Sequence, residues 1–403
     1  MDVELRRATP ADVEPLLALD GRSFGYDYTA EDIEDFRTIF ELDRLVVGYD
    51  GPELVAESGA WTFDVTVPGG ALVPAAGVTF VAVSASHRRR GLLRLMMADL
   101  LDDAAERAEP VALLSASESS IYERFGFGLG TYRAALAVEP HRVGFRTGLG
   151  DDGLVRYADA VTARKVVPEI YDRMRRERPG TVSRHDRWWD FTFRDAPGTR
   201  QGATTMQYAV HPDGYVSYRI ANEQNGGFPA NRVKIRELVA VTAVAYASLW
   251  RFLLGIDLVS DVEWTRASLD EPLPWLVDEP RRIRTEAVDD DTWVRLVDVE
   301  AALAARRYST ADRFVVEITD SFRPATAGRY EIDGSPDGAA CRRTLARPDV
   351  AMDVADLGSL YLGGVAASSL GRAGRIEERT PGALRRATAF FLTDPPPHNQ
   401  TSY

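Results

Sequence analysis

The stretch Gly77–Arg94, GVTFVAVSASHRRRGLLR, decides the fold. An apolar run of strand length leads into a short polar turn, three arginines and a glycine. The continuation LLRLMMADLLDDAAERA repeats its apolar residues at helical spacing, so the whole reads as strand, loop, helix. A loop that closes on a glycine at a helix start leaves several backbone N–H groups unpaired and pointing one way, and the helix dipole adds partial positive charge there. Such an end holds a phosphate group. Arg88, Arg89, Arg90 and Arg94 surround it with guanidinium groups, which match phosphate oxygens in planar, bidentate fashion. A pyrophosphate is the natural guest.

By itself an arginine cluster before a helix is most often a solvated turn. A second segment changes the reading. VALLSASESSIYERFGFG, ending at Gly128, supplies another apolar strand, a polar turn and a short helix carrying Tyr122, where a strand, loop, helix, strand unit brings its second strand.

With both segments in hand, Arg88-x-x-Gly91 after FVAV resembles the R/Q-x-x-G-x-G/A acyl-CoA loop of the GNAT N-acetyltransferases. The fuller strings FVAVSASHRRRGLLR and ASESSIYERFGFG resemble the enhanced intracellular survival (Eis) branch of that superfamily. Leu93 stands where the general motif has a second glycine or alanine; in the Eis branch GLL is the usual form. The resemblance implies acetyl-CoA as acetyl donor, with its pantetheine arm on the main chain of Val81, Ala82 and Val83. It implies Arg89, Arg90, Gly91, Leu92, Leu93 and Arg94 around the pyrophosphate, and Ser117 with Glu118 as the opposite wall. Tyr122 is implied as general acid, and the C-terminal carboxylate, here that of Tyr403, as the base that takes the amine proton. Phe24, Asp27 and Phe80 are candidate acceptor contacts.

The chain has 403 residues, more than one core usually serves, so two or three domains are expected. A net charge of −13 argues against nucleic-acid or anionic-membrane partners, which require a basic footprint, and favours cationic acceptors. The single cysteine, Cys341, allows no intrachain disulfide and no cysteine metal cage, and no two of the five histidines have metal-ligand spacing, so no metal is expected. The opening MDVELRRATPADVEPLLALD lacks the apolar core of a signal peptide, and no run reaches the ~20 apolar residues that span a bilayer. A cytoplasmic protein is expected.

Taken in order, the fold class expected is α/β (α+β) in three parts. Residues 1–150 form the GNAT-type catalytic domain, opened by a strand at VELRRA and by two helices, the second of them acidic. A turn-rich segment, HRVGFRTGLGDDG, leads into residues 151–284, where RVKIRELVAVTAVAYASLWRFLLGI repeats the strand-to-helix junction without Arg-x-x-Gly and without any glycine from Leu238 to Trp250. This is read as a degenerate GNAT-like copy. Residues 285–403, with the LGSLYLGG string, resemble the sterol-carrier-protein-like domain that ends Eis chains; the proline-rich end TDPPPHNQTSY reads as a stiff arm, and the resemblance implies that it reaches the active site.

The function expected is acetyl transfer to amino groups of polycationic acceptors: aminoglycosides, polyamines or lysine side chains. The resemblance further implies a homohexamer built as a dimer of trimers. Two alternatives stand beside it, a transferase of longer acyl groups and a non-catalytic acyl-CoA-sensing or lipid-binding scaffold.

Overall fold

The computed structural model describes residues 3–403. The chain folds into two compact units, one ending at Thr131 and resuming at Asp291, the other spanning Tyr132–Asp290.

The first unit begins with β1 (Glu4–Arg7), α1 (Val13–Phe24) and α2 (Ala30–Ile39). Thr29 caps α2: its hydroxyl accepts from the Asp32 N–H at 3.2 Å while Asp32 accepts from the Thr29 N–H at 2.7 Å. There follow β2 (Val46–Asp50), β3 (Glu53–Thr66), β4 (Leu72–Val83), α3 (Leu92–Glu106), β5 (Val111–Ser115), α4 (Ser119–Tyr122) and β6 (Gly128–Leu129). The strands β1 to β4 are antiparallel neighbours, and β5 lies parallel to β4 after the α3 crossover. α3 sets Met97, Leu100, Leu101 and Ala104 against Ala60, Ala76, Val78, Ala112 and Leu114 of the sheet. Its i, i+3, i+4 spacing makes that stripe continuous.

In the second unit come β7 (Tyr132–Val138), β8 (Arg156–Ala158), α5 (Ala160–Arg175), α6 (Asp186–Phe193), β9 (Gln207–His211), β10 (Gly214–Ala221), a ladder of β11 (Gln224–Asn225) with β12 (Phe228–Pro229), β13 (Asn231–Ala240), α7 (Ala243–Leu254), β14 (Val259–Ala267), α8 (Leu273–Leu276) and β15 (Ile283–Asp290). One sheet runs β15-β7-β14-β13-β10-β9-β8, with β13 and β14 parallel across α7. That crossover repeats the β4-α3-β5 unit in outline. Its helix starts on Thr242, whose hydroxyl accepts from the Ala245 N–H at 3.2 Å, so a side chain occupies the position that an anion would take. β9 and β10 form a hairpin whose two-residue loop is Pro212–Asp213, with Gly214 opening the second strand.

The chain re-enters the first unit with β16 (Thr292–Leu296), which slots antiparallel between β5 and β6, giving the order β1-β2-β3-β4-β5-β16-β6. Beyond it lie α9 (Val299–Ala305), β17 (Asp312–Thr319), β18 (Gly328–Ser335), β19 (Gly338–Arg343), β20 (Val350–Asp353), α10 (Val354–Tyr361), α11 (Ala367–Arg372), β21 (Ile376–Glu378) and α12 (Ala383–Phe391). These build a five-stranded sheet, β19-β18-β17-β20-β21. The LGSLYLGG string forms the seam with the first sheet. A methyl group on Gly358 would come within 2.2 Å of the Val294 carbonyl oxygen, so only glycine lets α10 lie this close to β16.

The changeovers at Thr131/Tyr132 and Asp290/Asp291 differ from boundaries at 150/151 and 284/285. β7 and β15 pair along seven residue positions and belong to the second sheet, which leaves the turn-rich segment around Gly148 inside that unit. No helix of the described residues is long and apolar enough to cross a membrane.

Candidate active site

β4 and β5 are paired only over Ala75–Gly77 and Val111–Leu113. Past Gly77 the two strands part, and the facing edge of β4 has no β5 neighbour. A bulge accompanies the parting: Thr79 faces Gly59 and Ala82 faces Glu57, so Phe80 and Val81 together oppose Ser58. Phe80 sits at φ 49°, a left-handed value that a bulky residue adopts only under constraint. The constraint is an aromatic cluster. Its ring lies edge-on to Phe36, Phe40 and Trp61 at centroid distances of 5.7, 5.0 and 6.3 Å.

The loop after β4 turns through Ala85–His87 and reaches α3 with Arg89 at φ 64° and Gly91 at φ 85°. His87 is a buried structural residue, with Nε2 at 3.0 Å from Asp50 and Nδ1 at 2.8 Å from the Ser86 hydroxyl. Gly91 takes the N-cap position in the left-handed conformation and offers no side-chain cap, so the first-turn N–H groups at Leu92, Leu93 and Arg94 stay available. Here α3 differs from α7, where Thr242 fills that role.

Between this loop and α4 opens a cavity of about 880 Å³, a volume suited to a cofactor-sized ligand. Val81, Ala82, Val83, Arg89, Gly91, Leu92, Leu93 and Arg94 line one side, Ser117, Glu118 and Tyr122 the other, and Phe24 closes an end from α1. Arg88 also faces it, together with Ser23, Ile121, Arg124 and Phe125, which the motifs did not single out. Arg90 does not line the cavity, because its guanidinium folds back onto the Ser86 carbonyl at 3.2 Å. The donor set fits an anionic ligand with an extended arm: guanidinium groups and helix N–H at one end, an unpaired strand edge beside it.

Tyr122 is 6 % exposed. Burial, and secondarily the charge of Glu118, pushes its phenol up to about 12. No hydrogen bond to a described residue engages its hydroxyl.

The C-terminal segment packs rather than waving free: His398, Asn399 and Thr401 are buried. The Tyr403 ring meets Phe63 edge-on at 5.0 Å, and it lies 3.4 Å from where a side chain on Gly77 would begin. That is the point at which β4 leaves β5. Tyr403 does not line the cavity itself, and neither do Asp27 and Phe80. Asp27 lies in a separate shallow cleft with Glu14, Arg22, Tyr26 and Tyr28, while Phe80 is held in its aromatic cluster.

One acidic group escaped the motif reading. Glu57, on β3 opposite Ala82, is fully buried, and neither carboxylate oxygen has a hydrogen-bond partner among the described residues. Burial first, then the charge of Asp20, raises its pKa well above the usual carboxylate range. Asp20 is itself raised by burial and accepts a 2.6 Å hydrogen bond from the Tyr28 hydroxyl. A carboxyl placed by long-range strand pairing carries no local signature.

The splayed strands, the glycine-led helix end and the buried phenol together define a GNAT-type N-acetyltransferase. Residues 4–130 match the Acetyltransferase (GNAT) domain family, 180–296 match a second Acetyltransferase (GNAT) domain family, and 299–400 match the Sterol carrier protein domain family. Among relatives, an uncharacterized N-acetyltransferase of Streptomyces avermitilis is 41% identical, with 92% of each chain covered. N-acetyltransferase Eis of Mycobacterium tuberculosis is 35% identical over 98% of each chain. The crystal structure of Eis1 from Mycobacterium abscessus superposes with a TM-score of 0.88 at 35% identity, covering 99% of this chain and all of that one. The chain belongs to the Eis family of N-acetyltransferases.

Proposed function

We propose that this enzyme transfers the acetyl group of acetyl-CoA directly to amino groups of polycationic acceptors, that is aminoglycosides, polyamines or lysine side chains. The observation that carries the reading is the cavity where the unpaired edge of β4, the open end of α3 and the Tyr122 phenol converge. The donor supplies a thioester carbonyl and a thiolate leaving group. Arg88, Arg89 and Arg94, with the α3 N–H groups, hold its phosphates; main-chain groups of Val81, Ala82 and Val83 align its arm.

The reaction asks three things of the protein: removal of a proton from the amine, donors for the developing charge on oxygen, and a proton for the departing sulfur. Main-chain N–H groups near Val81 meet the oxygen. Tyr122 donates to the sulfur. Its buried phenol keeps its proton at every physiological pH, and the desolvation that raises the phenol also raises a thiol in the same cavity, so transfer between them stays feasible. The Tyr403 carboxylate, whose free pKa is about 3.5, takes the amine proton directly or through water. Acceptor specificity rests on the cluster of Tyr26, Tyr28, Phe36, Phe40, Trp61 and Phe80 with Asp27 beside it, where ring faces and a carboxyl group suit cations. The protein works in the cytoplasm as a dimer of trimers.

The test is acetyl-CoA-dependent thiol release with a panel of aminoglycosides and polyamines, comparing the untagged protein, Tyr122→Phe and a variant extended past Tyr403. Rapid release by the first is expected, with losses of roughly 10²-fold or more in both variants. An untagged protein that binds acetyl-CoA but releases no thiol with any amine would overturn the reading in favour of a sensor.

A further inference from the structure

Arg94 lines the cavity and makes no hydrogen bond or ion pair with a described residue. Its guanidinium carbon instead stands 5.0 Å from the ring centroid of Phe322, a residue of the sterol-carrier-type segment. We propose that Phe322 is a positioning residue for the donor site: it presents an aromatic face that orients Arg94 toward a pyrophosphate. The proposal rests on the acetyl-CoA reading above.

The geometry is specific. A carboxylate partner would orient a guanidinium by consuming its N–H donors and cancelling its charge, whereas an aromatic face attracts the cation through its quadrupole and leaves all five donors to a ligand. Phe322 is itself held in place. Its ring packs edge-on against Phe125, another cavity residue, at 4.9 Å, and it is half-buried against the core that contains Tyr122 and Phe127.

The loop that carries it is pinned at three points. Asp320 Oδ1 accepts from the N–H groups of Phe322 at 3.0 Å and Arg323 at 2.8 Å. Asp320 Oδ2 pairs with Arg295 of β16, both side chains being buried. Arg323 reaches across to Asp102 on α3 at 3.0 Å. Arg295 therefore joins the strand inserted between β5 and β6 to the loop that aims Phe322 at Arg94. The C-terminal segment is in this way part of the donor site and not only a neighbour of it.

The experiment compares wild type, Phe322→Ala, Phe322→Leu, Phe322→Tyr, Arg94→Ala and the double variant Arg94→Ala/Phe322→Ala as full-length proteins. CoA affinity is measured by calorimetry, and steady-state kinetics are run with acetyl-CoA and with S-acetylpantetheine, which lacks the pyrophosphate. In Phe322→Ala and Phe322→Leu the acetyl-CoA KM is expected to rise roughly three- to tenfold, with kcat within about twofold of wild type. The S-acetylpantetheine KM is expected to stay unchanged, Phe322→Tyr to restore the acetyl-CoA value, and Phe322→Ala to add nothing once Arg94 is removed. An equal KM rise for both donors would mean a merely structural role and would sink the proposal. So would additive effects in the double variant, or an unchanged acetyl-CoA KM. Wild-type protein that binds no CoA would overturn the donor-site reading and this inference with it, whereas wild-type binding with an indifferent Phe322 overturns the inference alone.

Discussion

Glu57 shows how a single residue carries a pH dependence that the motifs do not announce. Buried, without a hydrogen-bond partner among the described residues and near Asp20, it holds its proton well above the ordinary carboxylate range. Because the folded pKa lies above the unfolded one, the stability tied to that proton is fully present below the ordinary pKa of ~4.3 and is lost as pH rises through the raised value. The loss amounts to about 1.4 kcal/mol for each pH unit crossed between the two. Glu57→Gln keeps the shape and removes the titration. Its melting temperature is expected to gain on wild type steadily as pH rises from the ordinary carboxylate range toward neutrality. A melting difference that stays constant over that range would show that Glu57 is ionised in the folded protein.

Among elements, α10 and β16 set a tight packing constraint. Replacing a helical glycine by alanine in open space stabilises a helix by about 1 kcal/mol. At Gly358 the added methyl meets the Val294 backbone, which has no rotamer to yield. Gly358→Ala is therefore expected to destabilise by about 1–3 kcal/mol, read as a lower urea midpoint. A stabilised variant would show that α10 can move off the sheet without cost. At this scale the strand-loop-helix of β4 and α3 was fully legible, since periodicity, a run of arginines and one glycine are local signals. The α7 junction was legible for the same reason, its lack of glycine matching a Thr242 cap. β16 was not legible as part of the first sheet. Nothing in TWVRL says that it pairs with residues some 180 positions earlier, because that choice depends on which edge is open once β5 and β6 are in place.

Across the whole molecule, a net charge of −13 is a field that attracts cations, which agrees with the proposal of cationic acceptors. Assembly belongs to this scale too. Sedimentation of the untagged protein is expected to give the mass of six chains, dissociating through trimers on dilution; a monomer at micromolar concentration would refute the dimer of trimers.

The sequence by itself determined the family, the glycine-led helix start that follows Arg88–Arg90, the short helix carrying Tyr122 and the succession of two GNAT-type segments and a sterol-carrier-type one. Each of these is written in residues within one or two turns or strands of each other, where periodicity, caps and donor chemistry act locally. Only the tertiary structure decided that Phe322 faces Arg94, that Tyr403 packs where β4 leaves β5, that Arg90 turns back onto Ser86, and that Glu57 and Asp20 lose their water together. Those juxtapositions join residues far apart in the chain. They follow from which surfaces the folded core brings into contact, and neither spacing nor composition encodes that outcome.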